Sequence, residues 1–518
     1  MKLDLKKISV TTWIFLAGIF LYTASLWQRP LFISEYAANS GAVDAISYSA
    51  VASSCDIFRS FVLKYLGTTP FGFRLPCALF ALLAGGALFF AGRKSHFERL
   101  STAAAAIFLL TPAIFLSGTT ALPFMLGGAP LVICFYLLYL TSESRNWKGS
   151  LLWGLVTTAA LLGTQWLLHL PFFVLFILAI WLLYAFTGVL LKLAMPAVFI
   201  PAVCVIPALG LSCYLGGFGE EFFHLPQLTD LRHLAAWVVA GSFPWILFSI
   251  AAVRNFKERF KTLCRDRFTL ASLLLGLFSL IIALFSRAPE AFFIPCLAGG
   301  AALLAAGLIM EHEENGFRSA NIILWILAGL FLLAGVALGI AGALAIYTKL
   351  LKGAWKIFSA RDAWALTAIV PVVTAVWCAT GAGEKISKER KFLSLCAGMA
   401  FLLLAFHGLV PLKVVENNAP GNFLQKVVMP RTGTKVRFYG DDTMTAPLKS
   451  VFKNSEVLTL KDLTDIKERI RNGEKFCVVT LLRNLSNQLP FPKTTLRSGK
   501  FFAVFYNIDF PEMRERKP

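Results

Sequence analysis

Apolar runs of about 20 residues recur along this chain, and short polar stretches separate them. They fall near 9–27, 75–92, 101–118, 120–141, 150–167, 170–189, 196–216, 234–253, 269–286, 292–310, 320–347, 363–380 and 392–414. A run of that length crosses the hydrocarbon core of a bilayer. A helix is the form in which one segment satisfies its own backbone in lipid. The pattern therefore predicts a polytopic α-helical bundle over 1–414 with thirteen transmembrane helices. The first run follows a basic start, "MKLDLKK", and is long enough to be an uncleaved helix rather than a signal peptide.

Two polar gaps are long. The first covers 28–74 and contains "AVASSCDIFRSFVLKYLG", which reads as helical; the second is "GFGEEFFHLPQLTDLRH" at 217–233. From about Val415 the pattern changes to that of a soluble domain, 415–518. "KVRFYG" and "FCVVTLL" carry the β-branched and aromatic residues of short strands. "TAPLKSVFKN" and "DLTDIKERIRNG" read as helices, the second capped by Asp462 or Thr464 and closed by Gly473. Strand, helix, strand, helix, strand predicts a small α/β domain. It has no glycine-rich phosphate loop, and the chain shows no internal repeats.

Composition sharpens this picture. The 518 residues are 57% hydrophobic and only 15% charged, against roughly 45–50% apolar in soluble domains. The formal charge is +20, but Lys and Arg gather in short loops, as positive-inside topology requires, so the charge does not imply nucleic acid. Lys2, Lys6 and Lys7 share the cytoplasmic side with "RKSHFER" at 93–99, "RNFKERFKTLCRDR" at 254–267 and "EKISKERK" at 384–391. The loop "TKLLKGAWKIFSARD" at 348–362 falls outside and breaks the rule; it reads as an amphipathic segment on anionic headgroups. An odd number of spans puts the C-terminal domain outside. The ten cysteines form no C-x-x-C pair. Cys55 and Cys477 fall on the same outer side, where free thiols fit better than a bridge.

Four stretches occur together in order: "RPLFISEYA", "YLGTTPFGFRLPCALFALLAGGALFFAGRK", "GSFPWILFSIAAVR" and "FSRAPEAFFIPCLAGGAALLA". They resemble the integral-membrane glycosyltransferases that use polyprenyl-phosphate sugars, the family of lipid A aminoarabinose transferases and bacterial relatives of protein O-mannosyltransferases. The resemblance implies a GT-C-like bundle with a helical first outer loop and an outer α/β domain. It also implies sugar transfer, with inversion, from a polyprenyl-phosphate donor to a lipid, glycan or protein acceptor of the cell envelope. The location implied is a bacterial inner membrane, with the C-terminal domain periplasmic.

Such a reaction needs a base for the acceptor hydroxyl and cations for the departing phosphate. Aligned from Pro30 and Leu31, Glu35 stands where the family has its catalytic aspartate, and Tyr36 replaces the glutamate that follows. Asp44 and Asp56 are the other acids of this loop. Arg74 and Arg287 are the candidates for the donor phosphate; Arg74 also reads as an interfacial anchor, and Glu290 could pair with Arg287. His224 with Glu221 could hold a divalent metal, although one His beside carboxylates also suits a solvated loop. No other cofactor is implied.

This chain departs from the family at several points. Its first loop is shorter and lacks the Lys-Pro-Pro motif, its outer turn "SGTTALPF" carries no acid, and "TQWLLHLP" lacks the usual lysine. Two other functions therefore stand beside transfer: a catalytically degenerate relative that binds a prenyl lipid or scaffolds an envelope complex, and a lipid or solute transporter. A transporter predicts internal repeats and broken helices at the midplane.

The charge pattern generates a test of orientation. A reporter active only in the cytoplasm, fused after Pro518, is expected to stay silent. Strong cytoplasmic signal would reverse the topology.

Overall fold

The computed structural model describes residues 10–27, 31, 33–40, 43, 54–95, 97, 99–143, 147–168, 235, 238–254, 265–285, 289–315, 318–347, 361–382, 388–409, 419–432, 436–441, 443–452, 455–459, 463–481, 494–498 and 501–506. The chain forms two compact units. The first holds Met1–Ser25, Arg74–Ala343 and Trp364–Gly408; the second holds Leu26–Phe73, Leu344–Ala363 and Leu409–Pro518.

The first unit is helical. Among the described residues, five helices are long and apolar enough to cross a membrane, or six if one bent pair counts as a single span. This is a multi-pass membrane protein. The runs expected at 170–189 and 196–216 lie outside the described residues. Large apolar side chains such as Trp325, Leu333 and Ile340 are exposed along Arg318–Tyr347, as lipid contact allows.

Close helix packing is built on small residues. A side chain on Gly299 would run into the backbone of Ser272 and Gly276 on the helix Arg267–Phe285. Pairs of this kind let apolar helices approach closely where no hydrophobic effect drives them together. Tyr136 and Ser272 share a hydrogen bond of 3.0 Å within the same packed region.

Polar contacts join the turns of this unit at Ser95, Glu143 and Asp266–Arg267. Ser95 donates to Asp266 at 2.8 Å, and Arg267 pairs with Glu143 at 3.0 Å. Asp266 also accepts the Thr269 N–H at 2.9 Å, capping Arg267–Phe285.

Two expected spans are interrupted. The run at 101–118 becomes two helices, Leu100–Leu109 and Pro112–Thr119, bent by 60°. Pro112 has no N–H and disfavours a helical Thr111, which is extended at φ −69°, ψ 124°. The run at 234–253 is broken by a turn at Phe243–Pro244, after which Trp245–Arg254 resumes the helix.

The two breaks are connected. At the bend, the carbonyls of Leu109 and Leu110 lose the N–H groups that a straight helix would bring to them. The fully buried Tyr22 hydroxyl donates to Leu109 O at 3.0 Å, and the buried Trp245 indole N–H donates to Leu110 O at 3.2 Å. Gly118 accepts the Tyr22 ring so closely that a methyl there would overlap it.

The second unit contains a five-stranded sheet: β1 Arg437–Gly440, β2 Val457–Thr459, β3 Phe476–Thr480, β4 Thr494–Ser498 and β5 Phe501–Tyr506. Their order is β2-β1-β3-β5-β4. β2, β1 and β3 run parallel, and β5 pairs antiparallel with β3 and with β4. Alternation assigns Phe438, Cys477, Val479, Ala503 and Phe505 to one face, packed on Met444 and Leu448 at the helix Thr445–Val451. Tyr439, Phe476, Val478, Val504 and Tyr506 form the other face, against Ile466 and Ile470 of Leu463–Arg471. Burial on both faces explains why "FCVV" is continuously apolar. Gly473, at φ 68°, closes the second helix as expected. Cys477 is a free thiol inside this core, and burial pushes its pKa well up.

The bent helix yields a stability prediction. Tyr22→Phe and Trp245→Phe each strand a buried carbonyl and should cost about 1 kcal/mol, read as a lower unfolding temperature in a fixed detergent. Unchanged unfolding in both variants would show that the bend does not depend on these donors.

Candidate functional site

The first-loop segment of the second unit is built from short, well-terminated helices. Ile33–Ala38 ends where the Asn39 side-chain amide donates to Glu35 O at 2.6 Å. Ser54–Leu66 ends at Gly67, whose φ of 74° suits a glycine helix terminator. Thr69 then caps the next helix by accepting the Gly72 N–H at 3.2 Å, and Pro70 occupies its first turn. The motif "LGTTPFG" is thus a stop and a start in seven residues of local chemistry.

Glu35 is 1% exposed. It is a buried carboxylate on a short helix, not a solvated loop residue. Arg74 is also 1% exposed, so it is not an anchor with its guanidinium in water. Asp56 is half-buried in the first turn of Ser54–Leu66, where the helix dipole favours an acid. Asp44, Arg287, His224 and Glu221 lie outside the described residues, as does the Glu290 side chain. Among the described residues, no three His, Cys, Asp or Glu side chains come together as a metal site.

One cation escaped the sequence reading. Arg59, 5% exposed on Ser54–Leu66, donates one guanidinium nitrogen to Ala38 O at 2.7 Å. Its other terminal nitrogen is buried without a hydrogen-bond partner. A buried guanidinium with an unspent donor is costly unless an anion completes it. In sequence it is one Arg on a mixed helix, "SCDIFRSFVLKYL", and only its burial distinguishes it.

Beside Glu35, Tyr36 reaches an open cleft of about 360 Å³. Leu31, Thr68 and Pro70 line it from the first loop; Asn422, Gln425 and Ser450 line it from the C-terminal segment. Thr68 donates to Ser450 O at 3.1 Å, tying the two segments. Tyr36 stacks edge-on against Phe73, with ring centres 5.6 Å apart. Gly421 lies so near the phenol oxygen that an added Cβ would stand 3.3 Å from it. By contrast, an apolar crevice lined by Phe331, Trp377 and Met399 in the first unit encloses only about 20 Å³ and is a packing gap.

The sheet offers a further place to look, because doubly wound sheets bind ligands where the strand order reverses. Here that point is the end of β1 beside β3, and Asp441 fills it. One carboxylate oxygen accepts the Thr443 and Met444 N–H groups at 3.1 and 2.9 Å; the other accepts Thr480 Oγ1 at 2.7 Å and Leu481 N–H at 3.1 Å. The protein's own carboxylate takes the donors that a bound anion would use.

Neither a family model nor a curated protein matches the sequence. Solved structures do match the fold. ArnT from Cupriavidus metallidurans, in a crystal structure bound to undecaprenyl phosphate, gives a TM-score of 0.68 at 14% identity, over 96% of this chain and 99% of that one. The same protein in its apo state gives 0.67 at 14% identity, over 96% and 98%. An Archaeoglobus fulgidus oligosaccharyltransferase is more distant, with a TM-score of 0.47 and 10% identity, over 91% of this chain and 69% of that one. The likeness to ArnT extends along the whole chain, and the fold is the GT-C-like bundle with a small α/β domain that the sequence predicts.

Proposed function

We propose that this chain is a membrane glycosyltransferase that moves a sugar from a polyprenyl-phosphate donor to an acceptor of the cell envelope. The reaction takes place on the periplasmic face of a bacterial inner membrane. The observation that carries the proposal is the whole-length likeness to ArnT, a protein whose crystal structure holds undecaprenyl phosphate. The buried Glu35 supports it from within the chain.

In this reading Glu35 takes the proton of the acceptor hydroxyl as that oxygen attacks the sugar's anomeric carbon. The bond to the donor phosphate breaks, the anomeric centre inverts, and polyprenyl phosphate leaves. Asp44 and Asp56 are the fallback bases. Arg74 and Arg287 hold the donor phosphate; Arg59 is a further candidate cation of the first loop, buried with a donor to spare. His224 and Glu221 remain the candidates for a divalent metal, which would supply further charge for the phosphate.

A degenerate relative that only binds prenyl lipid is the second reading. The outer turn around Thr119–Ala121 carries no acid, which leaves Glu35 without the companion the family shows.

One assay separates them. Labelled sugar should pass from polyprenyl phosphate to acceptor in proteoliposomes holding the chain, and Glu35→Gln should slow it by about 10²–10⁴-fold while unfolding behaviour stays unchanged. Full activity in Glu35→Gln would move the base elsewhere. No transfer by the parent across a broad donor set would favour the lipid-binding relative.

A further inference from the structure

The described lining of the cleft beside Tyr36 is polar but uncharged. Its lining offers the Tyr36, Thr68 and Ser450 hydroxyls and the Asn422 and Gln425 amides, and among the described residues it includes no Asp, Glu, Lys or Arg. Hydroxyls and amides both donate and accept hydrogen bonds, so together they match a ligand rich in hydroxyl groups. Leu31, Pro70 and Val451 add apolar surface, suited to the C–H faces of sugar rings. About 360 Å³ lies within the roughly 300–1,000 Å³ of small-molecule sites.

One wall carries a second mark. Gln425 sits in a π-helical turn, Leu424–Val428, inserted between the helical turns Pro420–Phe423 and Met429–Thr432. Such turns are rare and concentrate at functional sites. Leu424 and Val428 are buried in the sheet's core while Gln425 is exposed at the cleft. The insertion therefore turns an amide toward the cleft without disturbing the packed side.

From this lining we infer that the cleft binds a neutral saccharide, the carbohydrate part of the acceptor. Its role as acceptor rests on the transferase reading; its binding of sugar does not. An anion finds no charged side chain among the described lining residues. An extended peptide would seek a free strand edge, and no strand residue is among the described lining residues. The sugar of the donor shares the same chemistry, so competition has to tell the two apart.

The test uses the full chain in lipid nanodiscs and saturation-transfer NMR. The probes are chitobiose and maltose as neutral saccharides, glucose 1-phosphate as an anionic one, and a Ser/Thr-containing tetrapeptide. A neutral disaccharide is expected to bind best. Gln425→Ala and Asn422→Ala should each weaken it about fivefold, the loss of one hydrogen bond. Gln425 is exposed, so its variant should unfold as the parent does, and a matching unfolding curve checks that. Undecaprenyl phosphate and a sugar-loaded polyprenyl phosphate, titrated in parallel, should both bind without displacing the saccharide. Saccharide binding with no undecaprenyl phosphate binding would uphold the sugar site and sink the transferase reading. No neutral saccharide bound, unchanged affinity in both variants, or preference for glucose 1-phosphate or the peptide would overturn the site. Displacement by the sugar-loaded polyprenyl phosphate would overturn its assignment to the acceptor.

Discussion

Inside a membrane-spanning bundle no water is at hand to complete a broken hydrogen bond, so every interruption of a helix has to be answered by another part of the chain. The bend between Leu109 and Pro112 is where this constraint acts. Pro112 forces the break, two carbonyls come free, and Tyr22 and Trp245 take them. These donors come from the first helix and from the helix that resumes after Phe243–Pro244, so one proline ties together segments more than 100 residues apart. Gly118, which leaves room for the Tyr22 ring, belongs to the same arrangement. A transporter would use such freed carbonyls to coordinate an ion; here side chains occupy them, and the break is structural.

Much of the fold was legible because its patterns are local. Apolar length marked the spans that the described residues include, and the α/β domain followed from "KVRFYG", "FCVVTLL" and the two helical stretches between them. Gly473 could be read as a helix stop because only its backbone conformation matters. The bend at Thr111–Pro112 was not read from 101–118, since a Pro within an apolar run leaves mean hydropathy high. The partners of the bend were harder still. "FPW" looked like part of a family motif, and only the packed structure shows Trp245 donating to Leu110 O.

The candidate site divides in the same way. Glu35 could be picked out by its position after "RPLFIS", but its burial could not. Arg59 carries no sequence signal, because its isolation from water depends on how its helix packs against Ala38. The cleft draws Tyr36 and Thr68 together with Ser450, residues more than 380 positions apart in the case of Thr68 and Ser450, and no spacing rule joins them. Asp441 shows the opposite case: an acid in a place associated with ligands, fully engaged in holding β1, β3 and the helix after β1.

The account joins a lipid-embedded bundle, buried first-loop charges and a polar cleft whose described lining is uncharged, and it requires that the lipid's phosphate be recognised, not merely its chain. Native mass spectrometry of the purified chain, titrated with undecaprenyl phosphate or with uncharged undecaprenol, tests this most directly. The account predicts a one-to-one complex with undecaprenyl phosphate and far less with undecaprenol. Equal retention of both lipids, or retention of neither, would contradict it.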